Sequence, residues 1–578
     1  MRENFITTEF LSVDQMIEEA KSISKDWKFG KSLFCIEENV SSEREYKEIC
    51  KAQKRITRHA AIGYNSVKET CDAMKWLHQE LCSLGMKLDR VGILLDVAMG
   101  LPSDIRGKAM IGTGLMLHSD EEWNMVGQAA PFLIHFGDNM IGALNSIENL
   151  KLAFMAGATS AGNLSQYFSY DYPFKYDMNK RTLDACVAIC IMGLKKDAGM
   201  VLHSNLDDGF AATFHDLATV LGWAKIEKYL AEELMGAKLA HCFGNLFSSP
   251  ILRITFSEAL DAINGGDSCG TMIYGNTTDY STDFTRNKSV LNGYLIGDII
   301  GQMHNPTGHS ITAIPVSEAV RIPRKEEILE AQIMSHEIEK YAREMESYID
   351  WEKIEQDKKM LLVGANKVFD NIITGLDEMG IDIKNPAEIM VTCKMMGPAD
   401  LERRFGAGEL SDDYGHGRKP IYATDMIKRL EQIRERCLAN IDVNCSDLSG
   451  IRVVLCATDI HEFGKTIVGN VLKKVNAEVY DIGTDVSPDE VIEMALEIDS
   501  KILLVSSYNG VAKTFAKALL KKMDELDCKA DIFMGGLLTE NEEGGNIPVD
   551  VTQELIELGI HCIKSAENLP AEIKKLKR

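Results

Sequence analysis

The sequence predicts an α/β fold throughout, with a (β/α)8 barrel of the TIM type followed by a smaller, doubly wound sheet of the flavodoxin-like kind. Two observations predict this arrangement. From residue 90 onward, short apolar segments alternate with longer amphipathic ones over roughly 250 residues, which is the rhythm of a barrel of parallel strands. From residue 452 a shorter alternation of the same kind begins, and it is typical of an open parallel sheet with helices on both faces.

The composition is that of a large acidic protein. Its 578 residues are enough for several domains, each with its own core. The 63 basic and 87 acidic residues give a net charge of −24, which repels nucleic-acid phosphates and anionic lipids. The 14 cysteines are scattered without CxxC pairs, and no apolar signal core follows Met1. We therefore expect reduced thiols in a cytoplasmic protein that binds no nucleic acid and no membrane.

The elements are expected in the following order. Residues 1–89 form a mainly helical N-terminal segment, residues 90–357 the barrel, residues 358–448 a helical extension and linker, and residues 449–578 the C-terminal domain. The candidate barrel strands are the apolar runs bounded by polar turns: 90–97, 132–136, 199–203, 238–243, 270–274 and 310–314. Polar residues directly after these strands either mark the active-site face of the barrel or are ordinary turn residues.

The most informative motif is an Asp-x-His-x-x-Gly, formed by Asp459, His461 and Gly464, directly after the apolar run 452–457. This context places the histidine at the carboxyl edge of a strand, where open α/β sheets bind ligands. A histidine backed by a carboxylate suits an axial metal ligand, although a surface loop with an incidental histidine is the alternative.

Small residues end the next two predicted strands of the same sheet. Ser506 follows the apolar run 501–505, and Gly535-Gly536 follows the run 530–534. Side chains of this size leave room for a bulky group to lie beside the sheet.

This set of motifs resembles the cobalamin-binding domain of the B12-dependent mutases and methionine synthases, over roughly 449–578. The resemblance implies that His461 is the lower axial ligand of cobalt, oriented by Asp459, in place of the cofactor's own dimethylbenzimidazole. It also implies that Gly464 permits close approach of the loop, and that Ser506 and Gly535-Gly536 line a channel for the displaced nucleotide tail. Tyr508 stands where the family has leucine, a departure that affects the contacts of the tail.

The barrel has a resemblance of its own. Residues from about 130 to 380 resemble the large catalytic subunit of glutamate mutase, most clearly in the phrases 179–184 and 317–326. The alignment places Lys325 where the family contacts the adenosyl group. It places Cys190 and Asn205 where the family has a substrate-binding arginine and the glutamate that meets the amino group. The loss of that glutamate implies a substrate without an ammonium group.

Together the two resemblances imply an adenosylcobalamin-dependent mutase that rearranges the carbon skeleton of a small dicarboxylic acid by radical chemistry. Within the family the chain most resembles the 2-methyleneglutarate mutases, which form 3-methylitaconate in anaerobic catabolism. A glutamate-mutase-type enzyme for another acid and a corrinoid-dependent methyltransferase are the main alternatives. A pyridoxal-phosphate aminomutase and a cobalamin sensor fit less well, because no lysine has a Schiff-base context and a sensor needs no barrel.

Several residues are candidates for the substrate site. Lys325 and Asn205 follow from the alignment, and a dicarboxylate further needs cationic or strong donor groups. Candidates near the loop face of the barrel are Arg106, His135, His203 and Arg286. Arg106 is equally consistent with a solvated loop, and His203 and His241 with satisfied core histidines. The expected partners are the small-molecule dicarboxylate and further copies of the chain in a homo-oligomer.

Overall fold

The structure is a computed structural model, and it divides into two compact units. One unit comprises Met1–Ala319 and Pro323–Thr424, and the other Val320–Ile322 and Asp425–Arg578. The residues that the structure describes are 2, 5–107, 114–172, 176–207, 209–411, 414, 416–439, 441, 447–458, 463–483, 486–507, 510–540 and 549–576.

Eight parallel strands in the described part of the first unit form a nearly closed barrel. They are β1 Arg58–Ile62, β2 Arg90–Ile93, β3 Leu133–Phe136, β4 Ser160–Ala161, β5 Val201–Asn205, β6 Leu239–Cys242, β7 Met272–Ile273 and β8 Ser310–Thr312. Neighbouring strands pair in the order β6-β5-β4-β3-β2-β1-β8-β7. The two ends of this order meet at a parallel bridge between Phe243 and Ile273. The predicted (β/α)8 barrel is therefore confirmed.

Helices surround this barrel. They are α1 Val13–Ser24, α2 Leu33–Glu37, α3 Glu43–Ala52, α4 Val67–Ser83, α5 Ser103–Arg106, α6 Asp120–Gly127, α7 Ser146–Met155, α8 Ser165–Ser169, α9 Met178–Leu194, α10 Leu217–Lys228, α11 Pro250–Ile263, α12 Phe284–His304, α13 Lys325–Met345, α14 Trp351–Glu378 and α15 Pro386–Phe405. Aspartate side chains begin three of them, because Asp177, Asp216 and Asp283 accept hydrogen bonds from first-turn N–H groups of α9, α10 and α12. The largest apolar core includes buried side chains of α9, α10, α14 and α15.

Two barrel strands were absent from the prediction. Strand β1 lies within residues 1–89, which we predicted to be mainly helical, so the barrel begins earlier than residue 90. Its sequence, Arg58 to Ile62, contains an arginine, a histidine and two alanines, and it lacks the apolar run that identified the other strands. Strand β4 has only two residues, Ser160 and Ala161, which is too short for any periodicity to appear.

The second unit contains a five-stranded parallel sheet. Its strands are β9 Arg452–Ala457, β10 Glu478–Asp481, β11 Ile502–Ser507, β12 Asp531–Gly536 and β15 His561–Ile563, and β13 Thr539–Glu540 pairs with β14 Val549–Asp550 in a separate antiparallel ribbon. The strand order β10-β9-β11-β12-β15 is the flavodoxin-like order 2-1-3-4-5. Apolar clusters cover both faces of the sheet, as expected for parallel strands. The doubly wound prediction is confirmed.

The helices of this unit begin earlier than predicted. They are α16 Asp425–Ala439, α17 Phe463–Lys474, α18 Pro488–Glu497, α19 Ala512–Glu525, α20 Thr552–Glu557 and α21 Leu569–Lys575. Helix α16 lies in the region predicted as extension and linker, 358–448. The ammonium group of Lys474 donates to the carbonyl oxygen of Leu438 at 2.6 Å, so α16 is attached to α17. Among the described residues, none of the helices combines the length and the apolar character needed to cross a membrane.

Candidate functional site

A cavity of about 350 Å³ lies beside the carboxyl ends of strands β11 and β12 in the second unit. Four of the residues predicted to bind the cofactor line it: Gly464, Ser506, Gly535 and Gly536. The strand register explains why they meet, because Ser506 pairs with Gly535, and Gly536 with the residue after Ser506. The four small residues therefore line one cavity, and its use as a channel for the nucleotide tail stays a prediction.

Two of the glycines in this cavity, Gly536 and Gly464, have little space for a side chain. Gly536 has a φ of +100°, and a β-carbon there would lie 2.2 Å from the carbonyl oxygen of Ser507. A β-carbon on Gly464 would lie 3.2 Å from the Oγ of Ser506. The apolar side chains of Leu455, Leu504 and Phe533 complete the lining. A space of this volume, with small residues at its edge and apolar side chains within, fits the nucleotide tail of a cobalamin.

Three predicted cofactor residues lie outside the described part of the chain. They are Asp459, His461 and Tyr508. In the sequence they include the Asp-x-His motif between the end of strand β9 at Ala457 and the start of helix α17 at Phe463. The role of His461 as a metal ligand stays a prediction.

The interior of the barrel in the first unit contains a buried group of charges. The Glu43 carboxylate lies 2.8 Å from both the Lys47 ammonium and the Arg90 guanidinium. The Lys47 ammonium also donates to the carbonyl oxygens of Gly270 and Thr271, at 2.6 and 2.5 Å. Burial alone would raise the pKa of Glu43, but the two cations outweigh it and lower this pKa to about 2. The carboxylate is therefore ionised at neutral pH.

This carboxylate determines the hydrogen bonding of His135. The Ser160 hydroxyl donates its single proton to Glu43 at 2.6 Å, because an ionised carboxylate can only accept. Ser160 Oγ must then accept from His135 Nδ1, which lies 2.9 Å away. Burial, together with the nearby Arg90 charge, lowers the pKa of His135 well below its usual value. The ring is thus neutral, with its proton on Nδ1 and a bare lone pair on Nε2.

His135 Nε2 is buried and has no hydrogen-bond partner among the described residues. In this tautomer it accepts a hydrogen bond, so it suits a donor group rather than the carboxylate for which we predicted it. The His203 ring lies 4.7 Å from that of His135, centroid to centroid, and its Nδ1 lies 2.9 Å from Thr271 Oγ1. Burial also lowers the pKa of His203, so neither histidine provides a positive charge.

Acidic groups with raised pKa values follow two of the barrel strands. Burial raises the pKa of Asp138, after β3, and raises that of Asp207, after β5, to about 7. Asp207 Oδ2 accepts from the backbone N–H of Asn245 at 2.7 Å, while its Oδ1 is buried without a partner among the described residues. No sequence pattern distinguishes these acids from others, because aspartates are common in turns.

Two buried arginines stabilise the same end of the barrel. The Arg253 guanidinium donates to the Asp298 carboxylate at 2.6 and 2.8 Å, and to the carbonyl oxygen of Tyr274 at 2.6 Å. Arg181 donates to the carbonyl oxygen of Gly142 at 2.7 Å. These hydrogen bonds hold the loops after the strands in place. Both guanidinium groups therefore bind groups of the protein itself.

The other predicted substrate residues lie in different environments. Arg106 is half-buried and donates to the carbonyl oxygens of Met99, Leu101 and Leu117 at 3.0 to 3.4 Å, so it holds its own loop. Asn205 ends β5, and its Oδ1 accepts from the backbone N–H of Asp207 at 3.0 Å.

The three remaining candidates lie apart from one another: Lys325, Arg286 and His241. Lys325 begins α13, with its ammonium 4.7 Å from the centre of the Trp76 ring. Arg286 is exposed in the first turn of α12. His241 is buried in the core with its Nε2 3.1 Å from the Glu227 carboxylate, while its Nδ1 has no hydrogen-bond partner among the described residues. Among the predicted substrate residues, His135 and His203 are the pair whose side chains lie in contact.

A cluster of His215, Glu402 and His416 also lies in the first unit, with one potential ligand atom of each residue within 4.8 Å of the others. The two imidazole rings stack at 3.5 Å, with an angle of 13° between their planes. Lone pairs in nearly parallel planes run side by side and do not converge on one ion. Glu402 instead accepts from His416 Nδ1 at 2.5 Å and from the backbone N–H of His215 at 2.9 Å, which is a structural role.

Comparison with known proteins identifies the second unit. Residues 451–553 match the model of the B12 binding domain. The glutamate mutase sigma subunit of Carboxydothermus hydrogenoformans is 28% identical over 121 residues, which are 21% of this chain and 86% of that protein. The dimethylamine corrinoid protein of Methanosarcina barkeri is 31% identical over 80 residues, which are 14% of this chain and 38% of that protein.

The comparison with solved structures also finds two cobalamin or corrinoid proteins. A cobalamin-binding protein from Desulfitobacterium hafniense is 16% identical, with 22% of this chain and 59% of that chain covered, at a TM-score of 0.19. The monomethylamine corrinoid protein of Methanosarcina barkeri is 16% identical, with 41% and 88% covered, at a TM-score of 0.19. The family match confirms the predicted cobalamin cofactor, and residues 451–553 are a B12-binding domain with homology to the glutamate mutase sigma subunit and to corrinoid proteins.

Proposed function

We propose that this protein is an adenosylcobalamin-dependent mutase that rearranges the carbon skeleton of a small dicarboxylic acid. The observation that carries the proposal is the presence, in one chain, of a B12-binding domain with a tail-sized cavity and a nearly closed (β/α)8 barrel. The first provides a place for the cofactor, and the second is a scaffold on which substrates are bound at the carboxyl ends of the strands.

Adenosylcobalamin, when bound, supplies a carbon-centred radical that removes a hydrogen atom from the substrate. The residues of the chain bind and orient the reacting groups. The cavity beside Ser506 and Gly535 would hold the nucleotide tail, and His461 would take the place of the tail base on cobalt. In the barrel, the neutral rings of His135 and His203 offer buried polar contacts without charge.

The favoured reaction is the interconversion of 2-methyleneglutarate and 3-methylitaconate. Asn205 lies at the end of β5, where the family has the glutamate that meets the substrate's amino group. Its amide is neutral, which suits a substrate without an ammonium group. Cys190 is buried in α9 with a pKa raised to about 12 by burial, so it carries no charge either. Asp207 supports a dicarboxylate, because a pKa of about 7 leaves a large fraction of its carboxyl groups protonated at neutral pH, and a protonated carboxyl donates a hydrogen bond that a substrate carboxylate accepts. Burial raises the pKa of Asp138 in the same direction.

The test is an NMR assay of the full chain reconstituted with adenosylcobalamin and offered either 2-methyleneglutarate or glutamate. The proposal predicts formation of 3-methylitaconate from the first acid, none without cofactor, and a large loss of rate in His461→Ala. Formation of 3-methylaspartate from glutamate would contradict the interpretation of Cys190 and Asn205. Binding of adenosylcobalamin without turnover of any small dicarboxylic acid would contradict the mutase assignment.

A second candidate is a corrinoid protein that carries methyl groups. The 31% identity to the dimethylamine corrinoid protein favours it, although this chain covers only 38% of that relative. Such a protein would hold a reduced corrinoid that takes a methyl group from a methylated amine and releases the demethylated amine, and a change in the visible spectrum would report the transfer. Methylation of the reduced holoprotein by methylamines, with no turnover of dicarboxylic acids, would favour this candidate.

A further inference from the structure

Helix α16 forms one wall of the cavity, although it lies outside the residues that match the B12-binding domain. Ile433, Arg436 and Cys437 line the cavity from this helix. The lining also includes Ile563 to Glu567, which the domain match leaves out as well. Residues 451–553 therefore supply only part of the lining, and the remainder comes from segments outside the match.

Two hydrogen bonds hold helix α16 in this position. The Cys437 thiol donates to the Glu567 carboxylate at 3.3 Å, and the Lys474 ammonium donates to the carbonyl oxygen of Leu438 at 2.6 Å. Cys437 is only 6% exposed. The helix is therefore attached to the C-terminal segment on one side and to α17 on the other, and it encloses the cavity between them.

The chemistry of this wall suits the base of a nucleotide tail. Ile433 lies in the same lining as Leu455, Leu504 and Phe533, so a planar aromatic group would be surrounded by apolar carbon. We propose that helix α16 is part of the site for the nucleotide tail of cobalamin, and that Ile433 contributes directly to its binding. This proposal rests on the proposed cobalamin-dependent function, and it adds a contact that the matched domain does not contain.

The experiment compares two ligands in the full chain. Adenosylcobalamin has the nucleotide tail, whereas adenosylcobinamide has the same corrin and adenosyl group without it. Dissociation constants of both are measured by calorimetric titration for the unaltered protein, Ile433→Ala and Ile433→Trp. Gln432→Ala is the matched control, because Gln432 is exposed on the same helix and does not line the cavity. Thermal unfolding of each variant reports whether the fold is kept.

For Ile433→Ala we expect adenosylcobalamin to bind about tenfold more weakly, because a buried apolar contact of the tail is lost. Ile433→Trp should weaken it further by filling the cavity. Neither variant should change the binding of adenosylcobinamide by more than about twofold, and Gln432→Ala should behave as the unaltered protein.

Equal weakening of both ligands, or no weakening of either, would overturn the role of α16. A failure of the unaltered protein to bind adenosylcobalamin would instead overturn the proposed function itself. The two failures are thus distinguished by the unaltered protein alone.

Discussion

Ser160 donates its only hydroxyl proton to the Glu43 carboxylate, 2.6 Å away, and this single bond fixes the state of a histidine in the barrel. Because the proton goes to Glu43, the Oγ of Ser160 accepts from His135 Nδ1. A charge pair at the start of the barrel thereby leaves His135 Nε2 as an acceptor, in a ring that stays neutral because its pKa is lowered by burial.

Replacement of this hydroxyl tests the arrangement. Ser160→Ala leaves His135 Nδ1 and one oxygen of Glu43 without their partner, and buried groups that lose a partner cost roughly 1–3 kcal/mol each. We expect the free energy of unfolding of the barrel to fall by about 2 kcal/mol, measured by urea denaturation. Ser83→Ala, at an exposed hydroxyl, should change it by less than about 0.5 kcal/mol. Equal effects of the two substitutions would contradict the bridging role.

Acid should weaken the barrel through Glu43. Its pKa is about 2 in the folded protein and 4.5 in its ordinary state, so the folded form is stabilised above pH 4.5. This stabilisation is lost as the pH falls from 4.5 toward 2, and it amounts to about 3 kcal/mol. Glu43→Gln cannot ionise, so the difference in unfolding free energy from the unaltered protein should shrink over that range. A difference that is constant between pH 6 and pH 3 would contradict the assignment.

Asp207 should make the protein less stable as the pH rises, which is the opposite of the effect of Glu43. Burial raises its pKa from 3.8 to about 7, so its contribution to stability is fully present below pH 3.8 and is lost as the pH rises through 7. Asp207→Asn keeps an acceptor for the Asn245 N–H and carries no charge. We expect this variant to be more stable than the unaltered protein by about 4 kcal/mol at pH 8, and close to it at pH 4.

The comparison is made by thermal unfolding at several pH values. Asp197→Asn is the control, because Asp197 lies in an exposed turn between α9 and β5. A gain in stability for Asp207→Asn that does not depend on pH would contradict the raised pKa.

The cavity should close when a larger side chain replaces Gly535. A β-carbon at Gly535 would lie 3.3 Å from the carbonyl oxygen of Ile563, so the strand can accept it with a small shift. The methyl groups of Gly535→Val would then occupy space that the tail needs, and we expect the dissociation constant of adenosylcobalamin to rise at least about tenfold. Asp531→Val, at the other end of β12, should leave binding unchanged. Unchanged binding in Gly535→Val would contradict the assignment of this cavity to the tail.

The sequence predicted the C-terminal sheet well because its strands are buried on both faces. The runs 452–457, 501–505 and 530–534 are rich in apolar residues, and Ser506 and Gly535 stand at the ends of the last two, where the register pairs them. Physical reasoning from single segments was sufficient there, because each small residue is adjacent to the strand that identifies it.

The interior charges of the barrel could not be predicted in this way. Glu43 and Lys47 lie four residues apart on α3, which is the spacing of an ordinary surface ion pair on a helix. Only the fold shows that this face of α3 points into the barrel, next to Arg90. Likewise, the pKa values of Asp138 and Asp207 depend on burial by distant segments, which no local pattern reports.

The most direct test of the account concerns the ligand of cobalt. The full chain is prepared with nitrogen-15 in its histidines, loaded with cobalamin in the cobalt(II) state and studied by electron paramagnetic resonance. If His461 has replaced the cofactor's own base, the nitrogen splitting of each cobalt line changes from a triplet to a doublet, and it is lost in His461→Ala. A triplet that persists in the labelled protein would mean that cobalt keeps the base of the cofactor, and would contradict a tail bound in the cavity beside Ser506.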